Sequence, residues 1–203
     1  PHWRAAISGG FSYRTAKIPN DLSSDLGQYA RNLKRGGHYS ADATYFISEQ
    51  IGVGLKFTNF RAKNKIENIS VTPTNGETQY GEMRDDISTN FIGPLFCTRF
   101  LSKNKSNGLM MNLGMGYMGY KDKAVLINDF TLTGGTLGIC FDIGYDIGIS
   151  KNIAVGLQLS LTTGMISKFK LSDGTNSETI KLDEDNYENL SRIDLSIGLR
   201  FIK

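Results

Sequence analysis

The stretch LGICFDIGYDIGI, residues 137 to 149, alternates strictly between apolar residues and small or acidic ones. Its odd positions are all apolar or aromatic, whereas its even positions hold glycine, one cysteine and two aspartates. Because successive side chains of a β-strand point to opposite faces, the stretch predicts a strand with one wholly apolar face and one face of glycine and aspartate. The fold depends on which of these two faces meets water.

The same alternation recurs along the chain and predicts eight strands. They cover residues 3–14, 39–47, 51–60, 83–100, 109–120, 137–149, 153–165 and 191–201. Only 83–100 is irregular, because Phe91 and Leu95 have one parity while Phe96 and Phe100 have the other, with Gly93-Pro94 between them. We expect a β-bulge at that point that shifts the apolar side chains to the other face.

The connections alternate in length. Short polar turns cover 48–50, 102–107 and 150–152, whereas longer polar loops cover 17–38, 61–80, 121–130 and 170–189. If the strands run up and down in order, all long loops fall at one end and all short turns fall at the other, together with both termini. An eight-stranded antiparallel up-and-down β-barrel, formed as one domain by residues 1–203, has this property. Residues 21–35 could add a short helix inside a loop.

Composition excludes several classes of protein. No apolar run approaches the ~20 residues of a membrane helix, which leaves barrels open because a barrel exposes only every second residue to lipid. The net charge of +3 is too small to indicate nucleic-acid binding. Cys97 and Cys140 fit neither a disulfide framework nor a metal site, and we expect no metal or cofactor. The start at Pro1, without methionine or a signal-like apolar segment, suggests a processed or trimmed product.

The second face of the strands separates a soluble barrel from a transmembrane one. On 112–116, 138–148, 154–164 and 192–200 the even positions number twenty, of which eight are glycine, five are Asp or Arg, and none is Lys or Glu. A water-facing strand favours Thr, Lys and Glu, whereas the narrow interior of an eight-stranded barrel favours small residues. The lysines we identified instead lie in predicted loops and turns, namely Lys63, Lys65, Lys103, Lys105, Lys121, Lys123, Lys151, Lys168 and Lys170.

Strand length and aromatic placement favour the membrane interpretation. The apolar face of 137–149 is about 40 Å long and rises about 30 Å when tilted by ~40°, enough for an outer-membrane apolar band. Aromatic residues lie near both strand ends, as in interfacial girdles: Trp3, Tyr45, Phe100 and Phe201 at the short-turn end, and Tyr13, Phe57, Tyr120, Phe130 and Phe169 at the other.

These patterns give two sets of candidate residues. The first set is a charge network inside the lumen, in which the aspartates of the opening stretch point toward Arg192 or Arg200; its members are Asp142, Asp146, Arg192, Asp194 and Arg200. Buried charges of this kind require partners. The second set is predicted to face lipid and comprises Leu137, Ile139, Phe141, Ile143, Leu157, Leu159, Leu195 and Ile197. We expect the network to plug the lumen and not to line a gated polar path, because the bore of an eight-stranded barrel is small.

The sequence resembles the small outer-membrane β-barrel proteins of Gram-negative bacteria, of the OmpA/OmpX-like eight-stranded kind. The resemblance covers nearly the whole chain and rests on the phrases YFISEQIGVGL, FIGPLFCTRF, LGMGYMGY, IGISKNIAVGL and DLSIGLRF. It implies an integral protein of the bacterial outer membrane with periplasmic termini and extracellular long loops. It departs from the family at its end, where Phe201 is followed by Ile202 and Lys203 instead of closing on an aromatic residue.

Three functions follow as hypotheses. The first is a non-enzymatic outer-membrane barrel that contacts outer-membrane lipid and uses its loops for binding or adhesion, or joins a larger assembly through surface or envelope proteins. The second is a narrow porin-like channel for ions or small solutes, and the third is a soluble lipocalin-like barrel around a lipophilic ligand. Catalysis has little basis, because His2 and His38 have no evident catalytic partner.

Overall fold

The computed structural model describes residues 2–18, 23–71, 76–126 and 128–203. Eight long strands dominate it: β1 Trp3–Arg14, β2 Arg35–Phe46, β3 Ile51–Val71, β4 Gln79–Leu101, β5 Asn107–Leu126, β6 Asn128–Gly148, β7 Ile153–Ile166 and β11 Arg192–Ile202. Three short strands precede the last one: β8 Lys168–Ser172, β9 Ser177–Lys181 and β10 Glu188–Asn189. A helix, α1, covers Ser24–Leu33, and a single 3-10 turn covers Glu184–Asn186. No described helix is long and apolar enough to cross a membrane.

The eight long strands close into a ring by antiparallel pairing. Neighbours along the chain pair from β1 to β7, β7 pairs with β11, and β11 pairs with β1, where Ile7 lies opposite Leu199. Closure leaves no free edge in the barrel. The structure therefore confirms an eight-stranded antiparallel up-and-down barrel, with the short turns and both ends of the described chain at one mouth.

The expected bulge in β4 is wrong. The register is the same on both sides of Gly93-Pro94, since Ile92 lies opposite Tyr117 and Leu95 opposite Gly114. Phe91 and Leu95 point into the barrel and are buried, whereas Phe96 is exposed on the outside. The parity conflict in the sequence therefore arises because this strand has large apolar residues on both faces, not because the chain is shifted.

Two predicted loops are strands. β3 and β4 remain paired as far as Val71 and Gln79, and β5 and β6 as far as Leu126 and Asn128, so 61–80 and 121–130 form long hairpins. The pairing of β3 with β4 does shift in register, but between Ile66 and Ile69 of β3, far from the bulge expected at Gly93-Pro94. Residues 72–75 and 127 lie outside the described residues. The polar composition does not mark loops, because Lys63, Lys65, Lys121 and Lys123 lie on the outward face of strands that continue beyond the apolar band. Asn64 faces inward instead and donates to the backbone O of Tyr29 at 3.0 Å.

The other two predicted loops cross the same mouth of the barrel. The described part of 17–38 contains α1, which confirms the short helix expected within 21–35, while 170–189 contains β9, the 3-10 turn and β10. The Oγ of Ser23 accepts a hydrogen bond from the backbone N of Leu26 at 3.4 Å and caps α1. Tyr29 and Leu33 of the helix are buried in an apolar cluster with barrel residues. The helix is thereby held over the mouth.

Candidate functional site in the barrel interior

The strand alternation places the two candidate sets on opposite sides of the barrel wall. The residues predicted to face lipid all lie on the outer surface, with Leu137 73% and Ile143 38% exposed. The five predicted network residues all lie in the interior, each 5% exposed or less. Contact between this outer set and lipid stays a prediction.

The first interior charge cluster lies near the short-turn mouth. Asp146 on β6 binds two arginines: its Oδ2 accepts from Nε of Arg4 at 2.8 Å, and its Oδ1 accepts from Nε of Arg200 at 3.1 Å. Arg4 also donates to Asp42 on β2 at 2.8 Å. Arg200 donates in addition to the hydroxyl of Ser8 at 2.7 Å. Four strands are joined across the lumen by this cluster of two arginines and two aspartates.

A lysine dominates the middle of the lumen. Nζ of Lys56 on β3 donates to Oδ1 of Asp142 on β6 at 2.5 Å, and both side chains are 2% exposed or less. The same ammonium contacts Sγ of Cys140 at 3.2 Å, and Asn112 donates to the other carboxylate oxygen at 3.2 Å. Each charge is thus paired and hydrogen-bonded, the condition under which burial is tolerated.

The third cluster lies toward the long-loop mouth. Nε of Arg192 donates to Asp194 on the same strand at 3.1 Å, while its two terminal nitrogens reach Thr89 at 2.7 Å and Thr58 at 3.4 Å. The guanidinium also lies 5.8 Å from the ring centre of Phe60. This arginine is fully buried and fills the bore between three strands.

The interior agrees only in part with the expected network. Asp146 does meet Arg200, but Asp142 meets Lys56 and neither arginine. Sequence reasoning missed Arg4, Asp42 and Lys56. For Lys56 a signal was present, because it shares its parity with Gly52 and Gly54 on the same strand. The even-numbered positions were counted only on strands of the second half of the chain, and lysine was taken as a residue of loops and turns.

Apolar side chains close the lumen above the charged clusters. The cluster is built by β3 to β7, the segment before β11 and α1, and consists of Tyr29, Leu33, Phe60, Ala62, Ile87, Phe91, Met118, Tyr120, Cys140, Ile166 and Leu190. Phe169 of β8 packs on it, with its ring centre 5.3 Å from that of Tyr120. Tyr120 and Phe169 therefore belong to this plug, which corrects their assignment to an interfacial girdle.

A carboxyl pair lies at the top of the plug, beyond the apolar band of the outer surface. The hydroxyl of Tyr29 donates to Oδ2 of Asp85 at 2.7 Å, and that of Tyr120 reaches Oδ2 of Asp122 at 3.4 Å. Oδ1 of the buried Asp122 has no hydrogen-bond partner among the described residues. Burial first, and the negative charge of Asp85 second, raise the pKa of Asp122 to about 7. A proton held between the two carboxyls would relieve their repulsion.

Among the described residues, the interior holds one serine–histidine pair, which is closed to substrate. Nδ1 of His38 contacts Oγ of Ser12 at 2.9 Å, a pair that the sequence alone did not suggest. Ser12 is 0% exposed, however, and Nε2 of His38 has no hydrogen-bond partner in the described chain. A nucleophile needs both an orienting partner for its base and access for a substrate. Within the described ranges, no three His, Cys, Asp or Glu residues are grouped to hold a metal ion.

Three solved structures that match this architecture are outer-membrane proteins. A major outer membrane protein from Thermus thermophilus matches with a TM-score of 0.61 and 10% identity, over 99% of each chain. Neisserial surface protein A matches with a TM-score of 0.60 and 11% identity, over 99% of this chain and 97% of that one. OprG from Pseudomonas aeruginosa matches with a TM-score of 0.58 and 13% identity, over 100% of this chain and 97% of that one.

The chain therefore has the fold of the small outer-membrane β-barrel proteins, a transmembrane eight-stranded barrel, as the sequence resemblance implies. Within that class it is a barrel whose described interior is crossed by three ion-pair clusters and closed by an apolar plug. No protein-family model matches the sequence, and no curated protein matches it. At identities of 10 to 13% the likeness to these three structures concerns the architecture alone.

The central ion pair makes a direct prediction. Lys56→Met leaves the Asp142 carboxylate buried without its cation, so we expect a loss of about 3–5 kcal/mol in the free energy of unfolding. The double variant Lys56→Met/Asp142→Asn removes both charges and should recover most of this loss. Urea unfolding in detergent, followed by the fluorescence of the single Trp3, measures both variants. Equal losses in the single and double variants would contradict the assigned pairing.

The carboxyl pair predicts a pH effect. Because the folded-state pKa of Asp122 is raised above its value of about 3.9 in unfolded chains, the folded protein keeps a proton that the unfolded chain releases. This group therefore lowers stability as pH rises from about 4 to about 7, and the cost stays constant above that range. Asp122→Asn should remove this fall between unfolding curves at pH 5 and pH 8. Asp183→Asn in an exposed loop is the control and should follow the wild type.

Proposed function

We propose that the protein is a non-enzymatic integral outer-membrane barrel with a closed lumen, which serves as a rigid support for binding hairpins outside the cell. The observation that carries the proposal is the reversal of faces. Charged residues are paired inside while apolar side chains cover the outside of the wall. A soluble lipocalin-like barrel needs the opposite arrangement, so this alternative from the sequence is not retained.

The closed lumen favours support over transport. Four cations and four carboxylates form the ion pairs of the three interior clusters, so each cluster is close to neutral. Phe60, Phe91 and Met118 are each 0% exposed and pack across the bore above them. An eight-stranded barrel has room for little beyond its own side chains. The porin-like alternative would require both layers to move.

The long hairpins are the parts best suited to binding. From Tyr117, the last aromatic residue on the outer face of β5, to Leu126 the strand continues for about 30 Å, or about 20 Å of rise at the usual tilt. β3 and β4 extend in the same direction. Recognition surfaces on loops and hairpins held by a rigid wall are common. We therefore assign the hairpins to the extracellular side and the short turns and termini to the periplasm, with surface or envelope proteins as partners.

Planar-bilayer recording tests the closed lumen. Purified protein reconstituted at increasing amounts should give no discrete conductance steps at pH 5 or pH 7.5, because both the ion-pair clusters and the apolar plug close the bore. A porin of known conductance added to the same bilayer checks that insertion can be detected. Regular steps of constant size from the wild type would favour the channel function.

Surface labelling of intact cells tests the membrane location and the orientation. Cys97 and Cys140 are buried, so the wild type should give little background with a membrane-impermeant maleimide. Lys170→Cys, beside the long-loop mouth, should be labelled on intact cells, whereas Lys151→Cys, in a short turn, should be labelled only after the outer membrane is opened. If intact cells label Lys151→Cys but not Lys170→Cys, the orientation is the reverse of the one proposed. If neither variant is labelled after the outer membrane is opened, the membrane assignment is wrong.

A further inference from the structure

Oxygen atoms from four elements of the fold meet at the top of the plug. The groups that supply them are Tyr29 on α1, Asn64 on β3, Asp85 on β4, and Tyr120 and Asp122 on β5. The register pairs Asp122 with Ile87, two residues from Asp85, so the two aspartates are diagonal neighbours on the inner face of the wall. We call the five residues that supply the oxygen atoms the oxygen cluster.

Hydrogen bonds within the oxygen cluster join the helix to the hairpins. The hydroxyl of Tyr29 donates to Oδ2 of Asp85 at 2.7 Å and lies 3.4 Å from the backbone O of Asn64. Nδ2 of Asn64 donates in return to the backbone O of Tyr29 at 3.0 Å. On β5, the hydroxyl of Tyr120 donates to Oδ2 of Asp122 at 3.4 Å. Each carboxylate thus receives a hydrogen bond from a neutral hydroxyl.

The oxygen cluster carries two negative charges that no side chain compensates within the described ranges. Asp85 and Asp122 form no ion pair there. Arg14, which points inward at the same mouth, pairs instead with Glu188 at 2.6 Å. The three charge clusters deeper in the lumen differ in this respect, because each of their carboxylates lies against a cation.

One buried oxygen of the oxygen cluster requires a further partner. Asp122 is 5% exposed, and its Oδ1 has no hydrogen-bond partner among the described residues. A buried polar atom is normally satisfied by a donor, an ordered water or an ion. Burial and the charge of Asp85 raise the pKa of Asp122 to about 7, so a proton fills this role only up to neutral pH. Above that pH, a cation both satisfies Oδ1 and neutralises the pair.

The ligand atoms of the oxygen cluster favour a hard cation. Each ligand is a carboxylate, a hydroxyl or a backbone carbonyl, and Ca²⁺ takes about six to eight such oxygens in a flexible geometry. Mg²⁺ demands a near-octahedral set, which ligands on four separate elements do not readily supply. Lys63, Lys65 and Lys123 lie on the outward face of the same strands and oppose a cation. We therefore expect a weak site, with a Kd of about 10⁻⁴–10⁻³ M.

We propose that the oxygen cluster is a calcium site, in which one Ca²⁺ ion lies between the carboxylates of Asp85 and Asp122. The hydroxyls of Tyr29 and Tyr120 and the backbone O of Asn64 supply neutral ligands. The ion joins α1 to β3, β4 and β5 and so holds the plug in the mouth of the barrel. The calcium site goes beyond the proposed function and does not rest on it, because the same atoms meet whichever side of the membrane the hairpins occupy.

Terbium luminescence tests the calcium site directly, because Tb³⁺ replaces Ca²⁺ at oxygen sites and is excited through nearby tyrosines. The full chain in a non-ionic detergent, freed of metal by a chelator, should bind one Tb³⁺ at pH 7.5. Ca²⁺ should displace it far more effectively than Mg²⁺. Asp85→Asn and Asp122→Asn should each weaken binding about tenfold or more, because each removes one charged ligand. At pH 5 the apparent affinity should fall about a hundredfold, since a group with a pKa of about 7 is then about 1% ionised.

Asp183→Asn is the matched control, because it removes one carboxylate from an exposed turn at the same mouth and should bind Tb³⁺ like the wild type. Urea unfolding is the second measurement. Ca²⁺ should raise the wild-type midpoint at pH 8 and leave that of Asp122→Asn unchanged. In chelator, Asp122→Asn should be at least as stable as the wild type, because the repulsion between the carboxylates is gone. A loss of binding in this variant is therefore not a loss of fold.

Four results would each overturn the calcium site. The first is no effect of Ca²⁺ on the wild type, which would leave the proton as the partner of Asp122. The others are equal binding by Asp122→Asn and the wild type, an equal loss in Asp183→Asn, and displacement of Tb³⁺ by Mg²⁺ as effective as by Ca²⁺. Surface labelling that reverses the orientation would reject the proposed function and leave these measurements unchanged.

Discussion

The narrow bore of an eight-stranded barrel is the constraint on which the rest of this structure depends. Side chains alternate across the wall, so half of every strand must fit into a space that holds few large groups. Glycine supplies room where a large group enters: a side chain at Gly156 would meet Asp146 and Arg200, and one at Gly164 would meet Met118. A large residue on one strand therefore requires a small residue at the facing position of a neighbouring strand.

Burial of charge follows the same constraint. Arg4, Lys56, Arg192 and Arg200 would each be costly alone in such an interior, and each has a carboxylate within 3.1 Å. The pairs join strands far apart in sequence, as β3 with β6 and β1 with β6. Replacing both partners of such a pair by apolar residues is often neutral for stability, whereas removing one partner alone is strongly destabilising. Here they connect opposite sides of the wall, which the strand ladders alone do not do.

The architecture could be predicted from the sequence because apolar and small residues alternate with a period of two, which is the pattern of a strand with one face toward each side of a barrel wall. The stretch 137–149 has seven outward and six inward residues in strict alternation, and the structure keeps that division at every position. The partners inside could not be predicted in the same way. Asp142 finds Lys56 because strand tilt and closure bring residues 86 positions apart to one level, and parity carries no information about level. The lengths of the hairpins could not be predicted for a related reason. Residues such as Lys63 and Lys123 indicate that a segment meets water, but they do not indicate whether the strand has ended.

The same contrast between the interior and the outer wall supports the hairpins, and not the lumen, as the binding surface of the proposed function. The interior residues are paired or packed, so a ligand admitted there would have to replace partners already made, at a cost in stability. On the outward face of the hairpins Arg61 and Lys63 are paired with Asp86. Lys121 and Lys123 make no ion pair among the described residues, and they stand on strands already held by their ladders and by the plug around Tyr29 beneath. A binding group is effective when its position is fixed by neighbours that do not consume its charge. The lumen, whose charges are satisfied by one another, therefore supports the hairpins from beneath, so that Lys121 and Lys123 keep fixed positions on the wall beyond the apolar band.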